Sequence, residues 1–257
     1  MDTYHRKPII QVLNITVAYN DRVLLDDLSF EIYPGEVFVV LGGSGSGKST
    51  LLKHMIGLHR PVRGSILIEG GDITTAEGKD RLELLTKIGV MYQQGALFGS
   101  MSLLENVRLP LEEHTDLPSD AIDMIARMKL QLVGLGSAVH KLPDEISGGM
   151  RKRAAIARAM ALDPRILFLD EPSAGLDPIT SAELDQLIVS LARNLKITFI
   201  VVTHELPSIE IIADRVIMLD QRTKKIIAQG TPTALRDHSE NPWVRQFFHR
   251  AAEAVEP

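Results

Sequence analysis

The sequence predicts an α/β protein built on a largely parallel sheet, and three observations carry that expectation. Short apolar runs of strand length, Val37–Leu41, Ile88–Tyr92, Ile166–Leu169 and Ile197–Val202, lack the polar alternation of half-exposed strands. Strands covered on both faces read this way. Helical patterns separate the runs, and the run Val37–Leu41 leads directly through a glycine-rich turn into one of them. The 257 residues are 45% hydrophobic and 24% charged, ordinary values for a folded globular chain. A chain of this length buries roughly 70–75% of its unfolded surface, enough for one large core.

The elements follow in order. Ile9–Val17 and Val37–Leu41 read as strands bounded by turn residues, and Lys48–Gly57 as a helix. Ile66–Glu69 is a short strand ending in the turn Gly70-Gly71-Asp72. Ile88–Tyr92 is a further strand. The stretch from Gly95 to Leu162 has no convincing strand and carries helical patterns at Asp120–Val133 and Met150–Leu162. Ile166–Leu169 and Ile197–Val202 return to strand character. Between them, Pro178–Arg193 sets Leu184, Leu187, Ile188 and Leu191 on one helical face, with Asp177 as N-cap and Pro178 at the first helical position. The expected organisation is a core of residues 1–93 and 163–240, a helical insert at 94–162, and a C-terminal extension at 241–257. Within that extension Trp243, Val244, Phe247 and Phe248 have helical spacing, which favours packing on the chain's own core over packing on a partner.

Composition excludes several classes. With no cysteine there is no disulfide scaffold, thiolate metal site or cysteine nucleophile. A net charge of −5 argues against nucleic-acid wrapping, which needs a basic surface to release counterions. The basic cluster Arg151, Lys152, Arg153 and Arg158 reads as a solvated face, as most such clusters are. No apolar run approaches the ~18 residues that span a bilayer. Met1–Gln11 lacks the apolar stretch of a signal peptide. A soluble cytoplasmic protein is the expectation from composition alone.

Gly42-Gly43-Ser44-Gly45-Ser46-Gly47-Lys48-Ser49-Thr50 matches G-x4-G-K-[ST] between a strand and a helix. Glycines let the backbone fold around a phosphate so that several N–H groups point inward. The helix N-terminus adds partial positive charge. Lys48 is placed to reach β- and γ-phosphates, and the Ser49 hydroxyl to ligate Mg²⁺. A chance match occurs on the order of once per hundred chains of average composition. The motif by itself covers kinases, GTPases and many ATPases.

Ile166-Leu167-Phe168-Leu169-Asp170-Glu171 is an apolar strand ending in two acids. Asp170 suits a Mg²⁺ ligand and Glu171 a general base that polarises water. Taken alone, a solvated turn accounts for the pair equally well; beside the phosphate loop, the functional reading is favoured. His204 follows the strand Ile197–Val202 and so reaches the same sheet end. Gln93 and Gln94 follow Ile88–Tyr92, where an amide can orient water or Mg²⁺.

Ile146-Ser147-Gly148-Gly149-Met150 opens a second helix with a second anion-binding turn, far along the chain from the first. Together with the phosphate loop and Asp170-Glu171, this resembles the ATP-binding cassette (ABC) ATPases over nearly the whole chain. The resemblance implies a P-loop NTPase fold, a RecA-like parallel-sheet core with an antiparallel β portion and an inserted helical subdomain. It also implies ATP hydrolysis with Mg²⁺ in a head-to-tail dimer, where Ser147, Gly148 and Gly149 of one copy close over ATP in the other copy's phosphate loop. By the same resemblance Tyr19 stacks on adenine, Gln93 senses Mg²⁺ and a membrane partner, Ser173-Ala174-Gly175-Leu176-Asp177 communicates between sites, His204 is the switch at the γ-phosphate, and Glu171 is the base. Ile146 and Met150 depart from the family's usual Leu and Gln, and Met150 removes an amide.

The segment Gln94–Val107, with its Gly-Ala-Leu-Phe at 95–98, and the Ser-Gly-Gly-Met signature look like one branch. That branch is the ATPase subunits of Mla-type phospholipid transporters of Gram-negative bacteria, once called toluene-tolerance proteins. It implies a peripheral place on the cytoplasmic face of the inner membrane. It also implies a permease docking near Gln93–Val107 and a partner carrying an MCE domain. Two rivals remain at this level: a soluble ABC ATPase of the iron–sulfur assembly type, and a small-molecule P-loop kinase, which would give Ser147-Gly148-Gly149 no role.

Overall fold

A computed structural model describes residues 7–20 and 22–249. The elements are β1 (Ile10–Tyr19), β2 (Arg22–Ile32), β3 (Val37–Gly42), α1 (Lys48–Met55), β4 (Arg63–Ile68), β5 (Gly71–Asp72), α2 (Gly78–Thr86), β6 (Ile88–Met91), α3 (Leu103–His114), α4 (Ser119–Leu132), α5 (Gly148–Ala159), β7 (Ile166–Asp170), α6 (Pro178–Leu195), β8 (Thr198–Val202), α7 (Leu206–Ile212), β9 (Arg215–Leu219), β10 (Ile226–Gly230), α8 (Pro232–His238) and α9 (Pro242–His249). Two sheets form. One has the order β2-β1-β4-β5 and is antiparallel; the other has the order β10-β9-β3-β8-β7-β6. Its strands β9 to β6 are parallel, and β10 joins antiparallel at the edge.

The central strands are buried end to end because each face meets its own core. Val37, Val39 and Leu41 of β3 enter one apolar cluster and Phe38 and Val40 the other. β7 splits the same way, Leu167 and Leu169 against Ile166 and Phe168, as does β8 with Phe199 and Val201 against Ile200 and Val202. Side chains of a strand alternate faces, so an unbroken apolar run fills two cores at once. The first cluster lies under α3–α6. The second joins the main sheet to α1 and the antiparallel sheet. The α/β class with a parallel core, an antiparallel portion and helices between β6 and β7 is the architecture the sequence led one to expect.

Several boundaries differ. β2, β9 and β10 have no counterpart among the expected strands, and α2 and α3 none among the expected helices. The signature helix α5 begins at Gly148, and α1 closes at Met55 with Gly57 at φ 73° just beyond. Residues 98–102, leading into α3, are held by one buried side chain. Asn106 on α3 accepts from the Phe98 N–H at 2.8 Å and donates to the carbonyls of Phe98, Met101 and Ser102. Helix α9 packs on this chain's own core, with Val244 and Phe248 buried and Trp243 and Phe247 against the same cluster. Residues 250–257 of the expected extension lie outside the described residues.

Candidate functional site

The C-terminal ends of β3, β6, β7 and β8 point the same way, because these strands are parallel and in register. Val40 pairs with Val202, Val202 with Asp170, and Leu169 with Met91. Open α/β sheets bind ligands at this edge. It carries the phosphate loop after β3, Gln93 after β6, Asp170-Glu171 at the end of β7 and His204 after β8. A cleft of about 710 Å³ opens there, lined by Gly42–Gly45, Gly47–Thr50, Gln93, Glu171 and His204, with Leu24 and Phe247 on its rim.

The loop's glycines are needed for space as well as conformation. Gly42 has φ 154°, and a Cβ there would lie 2.3 Å from Ser46 Oγ and 2.7 Å from the Leu219 carbonyl. Gly47 has φ 94° at the N-cap of α1, with Leu25 Cδ2 where a Cβ would go, at 2.7 Å. The left-handed cap aims the first N–H groups of α1 into the cleft, and no acidic residue in that first turn opposes an anion. Lys48 Nζ donates to the carbonyls of Gly42 and Gly43 at 2.9 and 3.1 Å. Burial pushes its ammonium below the usual lysine range, while Glu171 and Asp170 pull it back up.

The acids take different environments. Ser49 Oγ donates to Asp170 Oδ1 at 3.2 Å. Burial raises the Asp170 carboxyl above its ordinary value and neighbouring Glu171 adds to this, while Ser49, Lys53 and Lys48 oppose it. Ser49 and Asp170, in contact, offer hydroxyl and carboxylate oxygens of the hard kind that Mg²⁺ takes, Gln93 lines the same cleft, and a cation there would relieve the buried carboxylate. Glu171 stands at φ 47°, an uncommon conformation for a residue with a Cβ. Its Oε1 lies 2.8 Å from His204 Nδ1, and its Oε2 is buried with no hydrogen-bond partner. One carboxylate oxygen is therefore paired with the imidazole, and the other is a buried acceptor without a partner.

A second group gathers elsewhere. Ser147 caps α5, its Oγ accepting from the Met150 N–H at 3.2 Å. Gly149 packs so closely on α6 that a Cβ would fall 2.3 Å from Thr180 Cγ2, and Gly148 faces Leu176. Asp177 caps α6, accepting from the N–H groups of Ile179 and Thr180 at 3.1 and 3.0 Å. Ser147, Gly148, Gly149 and Asp177 thus share one surface and do not line the cleft of their own chain. Tyr19 is 44% exposed, edge-on to His54 and His59, and also outside the cleft lining.

Two features escaped sequence reasoning. Trp243 lies against Gly43, within 3.7 Å of where a Cβ would stand, and Phe247 joins the cleft rim. The chain's single Trp beside two Phe was a signal of packing, but nothing in it pointed to the phosphate loop. Asp185 of α6 is 2% exposed and lies beside Ser208 of α7. Burial raises its carboxyl from 3.8 to about 6, with Glu205 adding and Ser208 opposing. The folded state then holds a proton that the unfolded chain releases, so stability should fall as pH rises from about 4 to 6 and level off above. Asp185→Asn is expected to flatten that slope and add about 1–3 kcal/mol near pH 7. Urea titrations across that pH range read it directly.

Residues 25–174 match the ABC transporter family. The chain is 45% identical over 240 residues to the probable ribonucleotide transport ATP-binding protein mkl of Mycobacterium leprae, covering 93% of this chain and 68% of the relative. It is 42% identical over 241 residues to the intermembrane phospholipid transport system ATP-binding protein MlaF of Haemophilus influenzae, covering 93% and 90%. Among solved structures it superposes at a TM-score of 0.78 and 28% identity on an ATP-binding cassette determined as a dimer in a post-hydrolysis state with ADP and phosphate. That match covers 86% of this chain and 98% of the other.

Proposed function

The chain belongs to the ABC transporter family, and from that premise we propose that it is the ATP-hydrolysing subunit of a transporter moving phospholipids between inner and outer membranes. The observation that carries the hydrolytic assignment is the Glu171 carboxylate, paired with His204 and lining the same cleft as the phosphate loop. The substrate assignment rests on similarity to MlaF over nearly all of both chains.

Backbone N–H groups of the Gly42–Thr50 loop and Lys48 hold the phosphates of ATP. Ser49, Asp170 and Gln93 would hold Mg²⁺, which when bound neutralises phosphate charge. The Glu171 carboxylate takes the proton of the attacking water, and His204 holds that carboxylate at the cleft. Tyr19 supports the adenine. Because Ser147, Gly148, Gly149 and Asp177 stand apart from their own cleft, they serve the cleft of a second copy in a head-to-tail dimer.

The dimer sits on the cytoplasmic face of the inner membrane. No helix among the described residues is long and apolar enough to cross a bilayer. The pathway is therefore supplied by a permease that docks near Gln93–Val107, with an MCE-domain protein as lipid carrier. We take the chain as a core of residues 1–93 and 163–240 with a helical insert at 94–162 and a C-terminal extension at 241–257. A second reading, ribonucleotide transport, follows the mycobacterial relatives, of which this chain spans about two thirds.

Purification of the tagged chain from detergent-solubilised membranes tests the assignment. A permease and an MCE-domain protein should accompany it, and phospholipid should stimulate the complex's ATP turnover. Stimulation by ribonucleotides alone would favour the second reading. Recovery without any membrane protein would favour a soluble ATPase.

A further inference from the structure

The four cations of α5, Arg151, Lys152, Arg153 and Arg158, do not form the solvated face that their clustering suggests. Arg151 is exposed and Arg153 pairs with Glu183 at 2.6 Å, but Lys152 and Arg158 turn inward. Lys152 is 7% exposed, and its ammonium donates to the carbonyl of Gln93 and, at 3.2 Å, to that of Glu171. Arg158 donates to the carbonyls of Ala96 and Gly95 at 2.6 and 3.0 Å. Between them Ala155 backs onto Gly95, 3.4 Å from where a Cβ would stand. Residues 152, 155 and 158 recur every three positions, so one face of α5 grips the segment after β6.

Glu171 is held from both sides of its peptide. Its N–H donates to the Val202 carbonyl at 2.8 Å, and its carbonyl accepts from Lys152 and from the Ala174 N–H. These bonds hold the backbone at φ 47° and so set where the carboxylate points. A lysine suits the junction because one compact ammonium offers three donors on a long stem. Charge-assisted bonds to carbonyls are also strong away from water. Burial lowers the Lys152 ammonium, while Glu171, Asp170 and Glu205 counter that.

We infer that Lys152 is a positioning residue of the hydrolytic reaction. Its ammonium joins the helix behind Ser147-Gly148-Gly149, the Gln93 loop and the backbone of Glu171 into one unit. Closure of a second copy at the signature, or displacement of the Gln93 loop by a membrane partner, is thereby transmitted to the carboxylate that takes the proton. The inference rests on the function proposed above, with Glu171 as base.

The test is steady-state kinetics and equilibrium ATP binding on the full chain, with hydrogen exchange as local readout. Lys152→Met should lower kcat roughly 10- to 100-fold, the cost of misplacing a catalytic group by about an ångström, with ATP affinity within about threefold of wild type. Amides of residues 94–96 and 171–174 should exchange faster, those of α1 and β3 unchanged. Lys152→Arg, which keeps the charge and the donors, should recover most of the turnover. Wild-type kcat in Lys152→Met would overturn the inference. So would ATP affinity falling in step with kcat, which marks a role in the fold alone, or Lys152→Arg remaining slow with normal exchange. A wild-type chain that does not hydrolyse ATP, or is indifferent to the charge of Glu171, would instead remove the functional reading beneath it.

Discussion

Replacing Glu171 with Gln is expected to lower ATP turnover by about 10²–10⁴-fold, the usual weight of general-base assistance, with little change in ATP affinity. The substitution is close to isosteric, so the φ of 47° is no more strained in the variant than in the wild type. Its side-chain oxygen can still meet the His204 ring, 2.8 Å from Oε1 in the wild type, so the switch contact survives. The buried second position changes from an acceptor that can take a proton to an amide that cannot. None of the phosphate-loop contacts involves this carboxylate; Lys48 bonds to Gly42 and Gly43. ATP should therefore bind, bring two copies together and remain unhydrolysed, visible as an ATP-dependent dimer in size-exclusion chromatography. Turnover near the wild-type rate would remove Glu171 from the base role and return the Asp170-Glu171 pair to a strand-end turn.

What could be read from sequence followed how local the determining forces are. The strands β3, β7 and β8 were legible because both their faces are buried, and a run such as Ile166–Leu169 has no polar side chain to turn toward water. The phosphate loop was legible because Gly42 and Gly47 answer to steric demands that any other residue would violate. β2 was not, because Asp26-Asp27 interrupts its apolar pattern and Asp27 takes φ 53°; its pairing with β1 overrides that local signal. β9 and β10 were not expected, although Val216–Leu219 is wholly apolar. The four cations of α5 look alike in sequence, and only the packing of the helix against the Gln93 segment separates Lys152 and Arg158, which turn inward, from the rest. Asp177 was legible twice, as a helix cap and by resemblance as a site residue. The cap is what its own chain uses it for. The placement of α9 against Gly43 needed the fold itself, since nothing local ties Trp243 to a loop some two hundred residues earlier.

Ser147→Asp is expected to lower turnover about 10³-fold while leaving the stability of the chain and its affinity for ATP nearly unchanged. The reasoning starts from the cap. Ser147 satisfies an N–H of α5 through a 3.2 Å bond from Met150, and aspartate caps a helix N-terminus about as well as serine. The variant's own nucleotide cleft is untouched, because Ser147 does not line it. In the head-to-tail dimer proposed above, the new carboxylate would meet the ATP phosphates held by the other copy. A unit charge about 4 Å from another, at an effective dielectric near 20, costs about 4 kcal/mol, or about three decades in rate if felt at the transition state. The expected signature is a lowered kcat with ATP binding by the single chain intact, and no dimer on adding ATP even when Glu171→Gln is combined with it. A kinase-like protein that works as a single chain predicts the opposite, since its cleft would never meet this residue. Unchanged turnover in Ser147→Asp would therefore remove the dimeric site and leave the nucleotide to the cleft of a single chain.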